Sequence, residues 1–189
     1  MYVKKEMKAK NSAKNFPIVC VGGSAGGLDA YTRLLQNLPA DMGIAIVIVN
    51  HLRTVATLLH KILPRYTKMP VELITEKLDI QPDHVFIIPE NRDLHILDDE
   101  FRLKPISKPR GWPDVITIFL RSLTQHWDGK IIAVIVSGYD GDGAEAMRSM
   151  CGTATLWDMK RIPEMIPGIR QVQSLFKQAP TNSSLPVQE

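Results

Sequence analysis

Residues 19–30 read VCVGGSAGGLDA. An apolar run stops at Gly22, Gly23, Gly26 and Gly27, which wrap around Ser24 and Ala25. A helical pattern follows at once, with Leu28, Tyr31, Leu34, Leu35 and Leu38 on one face, and Pro39 stops it. A buried strand, a glycine turn and an amphipathic helix in direct succession form the opening unit of an α/β sheet.

The rest of the chain repeats that grammar. Residues 43–50, GIAIVIVN, are nearly continuous and β-branched, the mark of a strand covered on both faces. A helix is expected over about 55–65, then strands over 70–75 (PVELIT) and 84–89 (HVFIIP). Residues 94–105, LHILDDEFRLKP, alternate around an acidic turn and predict a hairpin. A helix follows over 114–126, with Val115, Ile118, Phe119 and Leu123 apolar, then a buried strand over 130–136, KIIAVIV. A glycine-rich loop, a helix over about 144–150 and a last strand over 152–157 complete the pattern. The expected fold is α/β, a mainly parallel sheet flanked by helices, carrying one antiparallel hairpin.

Composition bounds the class. The chain has 189 residues, 44% of them apolar and 23% charged, and a net charge of +3, which suits one globular domain. Residues 1–15 form a basic tail in which Lys4, Lys5, Lys8, Lys10 and Lys14 face only Glu6, read as a flexible, solvated segment rather than a nucleic-acid site. No signal-peptide core or membrane-spanning run occurs, so the cytoplasm is the expected compartment, with no stable membrane insertion. Cys20 and Cys151 are too few for a disulfide framework, and no metal or organic cofactor is expected. Residues 158–189 are Pro-rich and weakly periodic, and an irregular segment is expected there.

The glycine loop admits three chemistries. A dinucleotide fingerprint needs glycine where Ser24 or Ala25 stands, and a Walker loop needs Lys-Ser or Lys-Thr where Leu28-Asp29 stands. Gly22-Gly23-Ser24-Ala25-Gly26 does satisfy G-x-S-x-G, a turn that exposes a serine at a sheet edge in front of helix N–H groups. The competing view is a turn in which Ser24 merely caps the helix.

A serine needs a base to take its proton. Of the five histidines, His60 and His126 fall in helical patterns and read as structural, and His84 and His95 as surface or packing residues. His51 differs, because it follows a buried strand directly, at the edge where open α/β sheets gather functional groups. The third buried strand runs into SGYDGDG, residues 137–143, which supplies Asp140 and Asp142 as carboxylates able to orient an imidazole. Either aspartate is equally suited to capping the helix that follows. The convergence of Ser24, His51 and Asp140 or Asp142, each after a core strand, favours a hydrolase. The order serine, histidine, aspartate excludes the usual α/β-hydrolase order of serine, acid, histidine.

Four ordered blocks now carry a resemblance: IVCVGGSAGG (18–27), IVIVNHL (46–52), PDHVFIIPENRDLHI (82–96) and AVIVSGYDGDGAEAM (133–147). Over about residues 16–155 the chain resembles the catalytic domain of bacterial chemotaxis protein-glutamate methylesterases, the CheB type. The resemblance implies a catalytic domain over residues 16–157, here without the family's receiver domain. It implies Ser24, His51 and Asp142 as catalytic residues, Asp142 because it precedes the Gly143-Ala144 pair. It implies an oxyanion site on the backbone N–H groups of Ala25 and Tyr139. The implied reaction is hydrolysis of γ-methyl glutamate esters on the cytoplasmic helices of methyl-accepting chemoreceptors, with deamidation of certain glutamines. Tyr139 stands where the family usually has methionine, and residues 156–173 depart from its closing segment. A catalytically weak module binding receptor or signalling helices, and an esterase for another carboxylate ester, are the competing readings.

Overall fold

A computed structural model describes residues 14–23, 27–51, 58–108, 113–136, 142–143 and 146. Seven strands and three helices are formed within these residues. In chain order they are β1 (Ile18–Gly23), α1 (Leu28–Gln36), β2 (Ala45–Asn50), α2 (Leu59–Ile62), β3 (Val71–Leu73), β4 (His84–Ile87), β5 (Arg92–Leu97), β6 (Glu100–Pro105), α3 (Val115–His126) and β7 (Ile131–Ile135).

Five strands build one parallel sheet in the order β3-β4-β2-β1-β7, while β5 and β6 pair antiparallel beside it. The expected fold class is the observed one. Its cause lies in the strand sequences, because every residue of β1 and β2 is buried. Ile18 and Cys20 of β1 and Ala45, Val47 and Val49 of β2 join a core with Phe119, Leu120 and Leu123 of α3 and with Leu94, Ile96 and Phe101 of the ribbon. Val19, Val21, Ile46 and Ile48 point the other way, into a second core with Tyr31, Leu34 and Leu35 of α1 and Leu59 of α2. Two apolar layers require a strand that is apolar at every position.

The ribbon turns through Asp98 and Asp99, both at positive φ (54° and 60°), as a two-residue hairpin that follows the right-handed twist requires. It is fixed to α3 by Ser122. The Ser122 hydroxyl accepts from the Ile96 N–H at 2.9 Å and donates to the Ile96 carbonyl at 3.3 Å, taking the place of a neighbouring strand.

Several expectations shift in detail. β1 runs on through Gly22 and Gly23, which pair with Val49 and Asn50. The helix expected over 55–65 is described only from Leu59, as α2, and tightens to a 3-10 turn over Leu63–Arg65. Pro64 causes this, since it has no N–H for a further α-helical bond. Leu28, assigned to the apolar face of α1, is 42% exposed. Lys14 of the basic tail is anchored, its ammonium 2.5 Å from Asp79. The strand expected over 152–157, the segment 158–189 and all but Ala146 of the helix expected over 144–150 lie outside the described residues.

Candidate active site

From β1 the chain passes to β2, on to the edge strand β3 and back to β4 between them, then returns to lay β7 on the other side of β1. The strand order therefore reverses at β1, and in open α/β sheets a crevice forms outside the carboxyl ends of the strands at such a point. Gly23 ends β1 and pairs with Asn50, the last residue of β2. Ser24 and His51 are the next residues of the two strands in sequence, and the His51 N–H continues the ladder to the Gly23 carbonyl at 3.3 Å.

The His51 imidazole meets Asp142. Its Nε2 lies 2.7 Å from Asp142 Oδ2, and the two side chains are only 7% and 2% exposed. The same carboxylate holds the first turn of α3: Oδ2 accepts from the Ile116 N–H and Oδ1 from the Thr117 N–H, each at 2.9 Å. Asp114, at the N-cap of α3, makes no side-chain capping bond and instead pairs with Lys108. The helix thus takes its acceptor from across the fold. Thr117 returns the contact, its hydroxyl accepting from the Gly143 N–H at 2.8 Å. Gly143 has φ +85°, and a β-carbon there would lie 2.8 Å from Ile116 Cγ2. Glycine is required both for the turn and for the approach to α3.

Burial by itself would raise the Asp142 carboxyl. Hydrogen bonds from His51, from the Thr117 side chain and from the Ile116 and Thr117 N–H groups outweigh it and hold the group below its ordinary value. An ionised Asp142 keeps the proton on Nε2 of a neutral His51, so Nδ1 is the nitrogen that can accept a proton. Beside it, Asn50 is buried and its Oδ1 has no hydrogen-bond partner among the described residues. Cys20 offers no rival nucleophile: burial pushes its thiol well up, and the Asp142 charge adds to the effect.

Of the residues singled out in the sequence, the structure brings His51 and Asp142 together. Ser24, Ala25, Tyr139 and Asp140 lie outside the described residues. The Asp142 carboxylate reaches α3, which lies earlier in the chain, while its other reading, as cap of the helix after it, falls on residues outside the described ones. Ile116 and Thr117 were not foreseen as holders of the carboxylate. The available signal was a helix start at residues 113–115 with no strong local capping box.

The CheB methylesterase family model matches residues 19–156. The chain belongs to the CheB methylesterase family. It is 32% identical over 138 residues to the protein-glutamate methylesterase/protein-glutamine glutaminase 2 of Burkholderia orbicola, covering 71% of this chain and 41% of that protein. It is 34% identical over 137 residues to the corresponding protein 4 of Burkholderia thailandensis, covering 71% of this chain and 40% of the relative. The chain therefore spans about two fifths of the length of the curated relatives it matches. The crystal structure of the Thermotoga maritima CheB methylesterase catalytic domain superposes with a TM-score of 0.64 at 23% identity, over 72% of this chain and 75% of that one. That likeness bears on the CheB methylesterase fold. Among the described residues no helix is long and apolar enough to cross a membrane, and no cluster of three side chains is suited to a metal ion.

Proposed function

We propose that this chain is a protein-glutamate methylesterase that hydrolyses γ-methyl glutamate esters on the cytoplasmic helices of chemoreceptors. The carrying observation is the buried His51–Asp142 pair, 2.7 Å apart, at the carboxyl edge of the sheet where the strand order reverses. Membership of a methylesterase family supports the same reading. Ser24 is the nucleophile, directly after Gly23 in the chain.

The residues divide the work as follows. Asp142 holds the Nε2 proton of His51, and Nδ1 takes the Ser24 hydroxyl proton as the oxygen attacks the ester carbonyl. The N–H groups of Ala25 and Tyr139 receive the negative charge that develops on the carbonyl oxygen. His51 then gives its proton to the departing methoxide, releasing methanol and leaving an acyl-serine. Water, deprotonated by His51, cleaves that ester to a glutamate carboxylate and restores Ser24. With a glutamine in place of the methyl ester, the same steps release ammonia. No step calls on a metal or cofactor, and the substrate sets the cytoplasm as the working compartment.

The test is methanol release from methylated receptor membranes. Ser24→Ala removes one hydroxyl from a loop, so the fold should persist while release falls by orders of magnitude. Equal release by the variant at matched purity would overturn the assignment.

A further inference from the structure

A cleft of about 430 Å³ opens between the β5–β6 ribbon and α3, a size that suits a small molecule. His95 on β5, Arg102 and Lys104 on β6, and Arg121 and His126 on α3 all line it. Strand register sets His95 directly opposite Arg102. Arg121 and His126 lie on α3 four and nine residues beyond Thr117, so the basic groups that α3 gives the cleft begin about 6 Å along the helix from the turn that holds Asp142, although the cleft itself reaches Ile118. It is a separate place on the molecule.

Among the described residues no carboxylate lines this cleft. Arg102 bonds Glu100 at 2.5 Å, which engages one face of its guanidinium. Among the described residues, Lys104 and Arg121 make no ion pair. The excess positive charge is felt by His95. Burial first and then Lys104 lower its basicity, Asp93 pulls the other way less than Lys104 does, and His126 adds the smallest lowering effect. By contrast, the 550 Å³ cavity at the end of α1 mixes signs, with Asp41 near Arg65 and Lys68. The floor of the basic cleft is rigid, because Ser122 ties Ile96 to α3 there.

We propose that this cleft binds a small soluble ligand through a phosphate-class group carrying two or more negative charges. Lys104 and Arg121, from two elements, join an Arg102 already shared with Glu100, and two cations without an ion pair among the described residues match a dianion, whereas a single carboxylate would leave half of that charge unanswered. Arginine contributes paired N–H donors suited to such oxygens, and lysine a point charge. Gln125 at the rim adds an amide to orient the ligand. The proposal is independent of the hydrolytic reading.

The experiment is calorimetric titration of the full chain with inorganic pyrophosphate at fixed ionic strength. One saturable site is expected. Lys104→Ala and Arg121→Ala, both exposed positions that should leave the fold intact in a thermal melt, should each weaken binding about tenfold or more, and the pair should abolish it. Lys68→Ala at the other cavity and Ser24→Ala at the hydrolytic loop should bind like the parent. No saturable binding, or binding unchanged in the double variant, overturns the proposal. So does binding only to phosphatidylglycerol vesicles or only to polyglutamate, which would assign the charge to a lipid surface or an acidic protein.

Discussion

Asp142 performs two tasks with one carboxylate: it holds the Nε2 proton of His51 and it receives the first N–H groups of α3. Asparagine cannot do both. Its NH₂ group must take either the Oδ1 place, against the Thr117 N–H, or the Oδ2 place, against the Ile116 N–H and His51, whose Nε2 must then give up its proton. The second arrangement leaves the proton on Nδ1, the nitrogen proposed above as the base. Asp142→Asn should therefore cut kcat severely; the equivalent exchange in a serine protease costs about 10⁴-fold. It should also lower stability by about 1–3 kcal/mol, since buried donors lose an acceptor. Asp140→Asn should leave kcat within a few-fold, because Asp142 already holds the Nε2 side of His51. Measuring kcat and thermal midpoint for both variants checks this. A dead Asp140→Asn with an active Asp142→Asn would move the orienting role by two positions. The sequence left these two aspartates equivalent, and for a physical reason: the partners of Asp142 lie 91, 26 and 25 residues away, with no local spacing to announce them.

Among the elements, β1 and α3 meet most tightly at Gly22. A β-carbon added there would come within 2.6 Å of Ile135 Cδ1 on β7 and 2.8 Å of Ile116 Cδ1 on α3. Gly22→Ala should destabilise the chain by about 1–3 kcal/mol through overpacking. It should also lower activity, since Ile116 carries one of the N–H groups that holds Asp142. Ile135→Val removes the nearer obstacle, so the double variant should lose less stability than Gly22→Ala alone in a denaturant titration. Additive losses would show that the crowding lies elsewhere. The elements themselves were largely legible. Continuous apolar runs announced β1, β2 and β7 because both sheet faces are covered, and alternation around Asp98-Asp99 announced the ribbon. The helix expected over 55–65 ends at Arg65 as read, but its last turn is 3-10 rather than α because Pro64 alters the bonding there, and its start lies outside the described residues.

At the scale of the whole molecule, the reversal of strand order at β1 explains why groups far apart in sequence converge, and why His51 could be singled out before any coordinates. The trans cap on α3 could not be, because it depends on how β7 and α3 are placed around β1. The cap also makes stability depend on acidity. The Asp142 carboxyl is held below its ordinary value in the folded chain, so folding favours its charged form. Its contribution is complete above the unfolded value, about 3.9, and is lost as pH falls through the lower folded value. The gap in thermal midpoint between the parent and Asp142→Asn should be present at about pH 5 and shrink steadily below about pH 4. A gap that persists in acid would mean that the charge on Asp142 contributes nothing to the fold.

The position of β1 also sets a timetable. A ribosome makes this strand first and one of its two neighbours, β7, more than a hundred residues later. Until then Ile18–Gly23 has β2 on one side and an open row of backbone donors and acceptors on the other, the template on which nascent chains stick to one another. The carboxylate that finishes the first turn of α3 emerges later still. A shortened version ending before residue 131 would leave β1 itself as a sheet edge, and one ending before residue 142 would leave the first turn of α3 without its carboxylate acceptor.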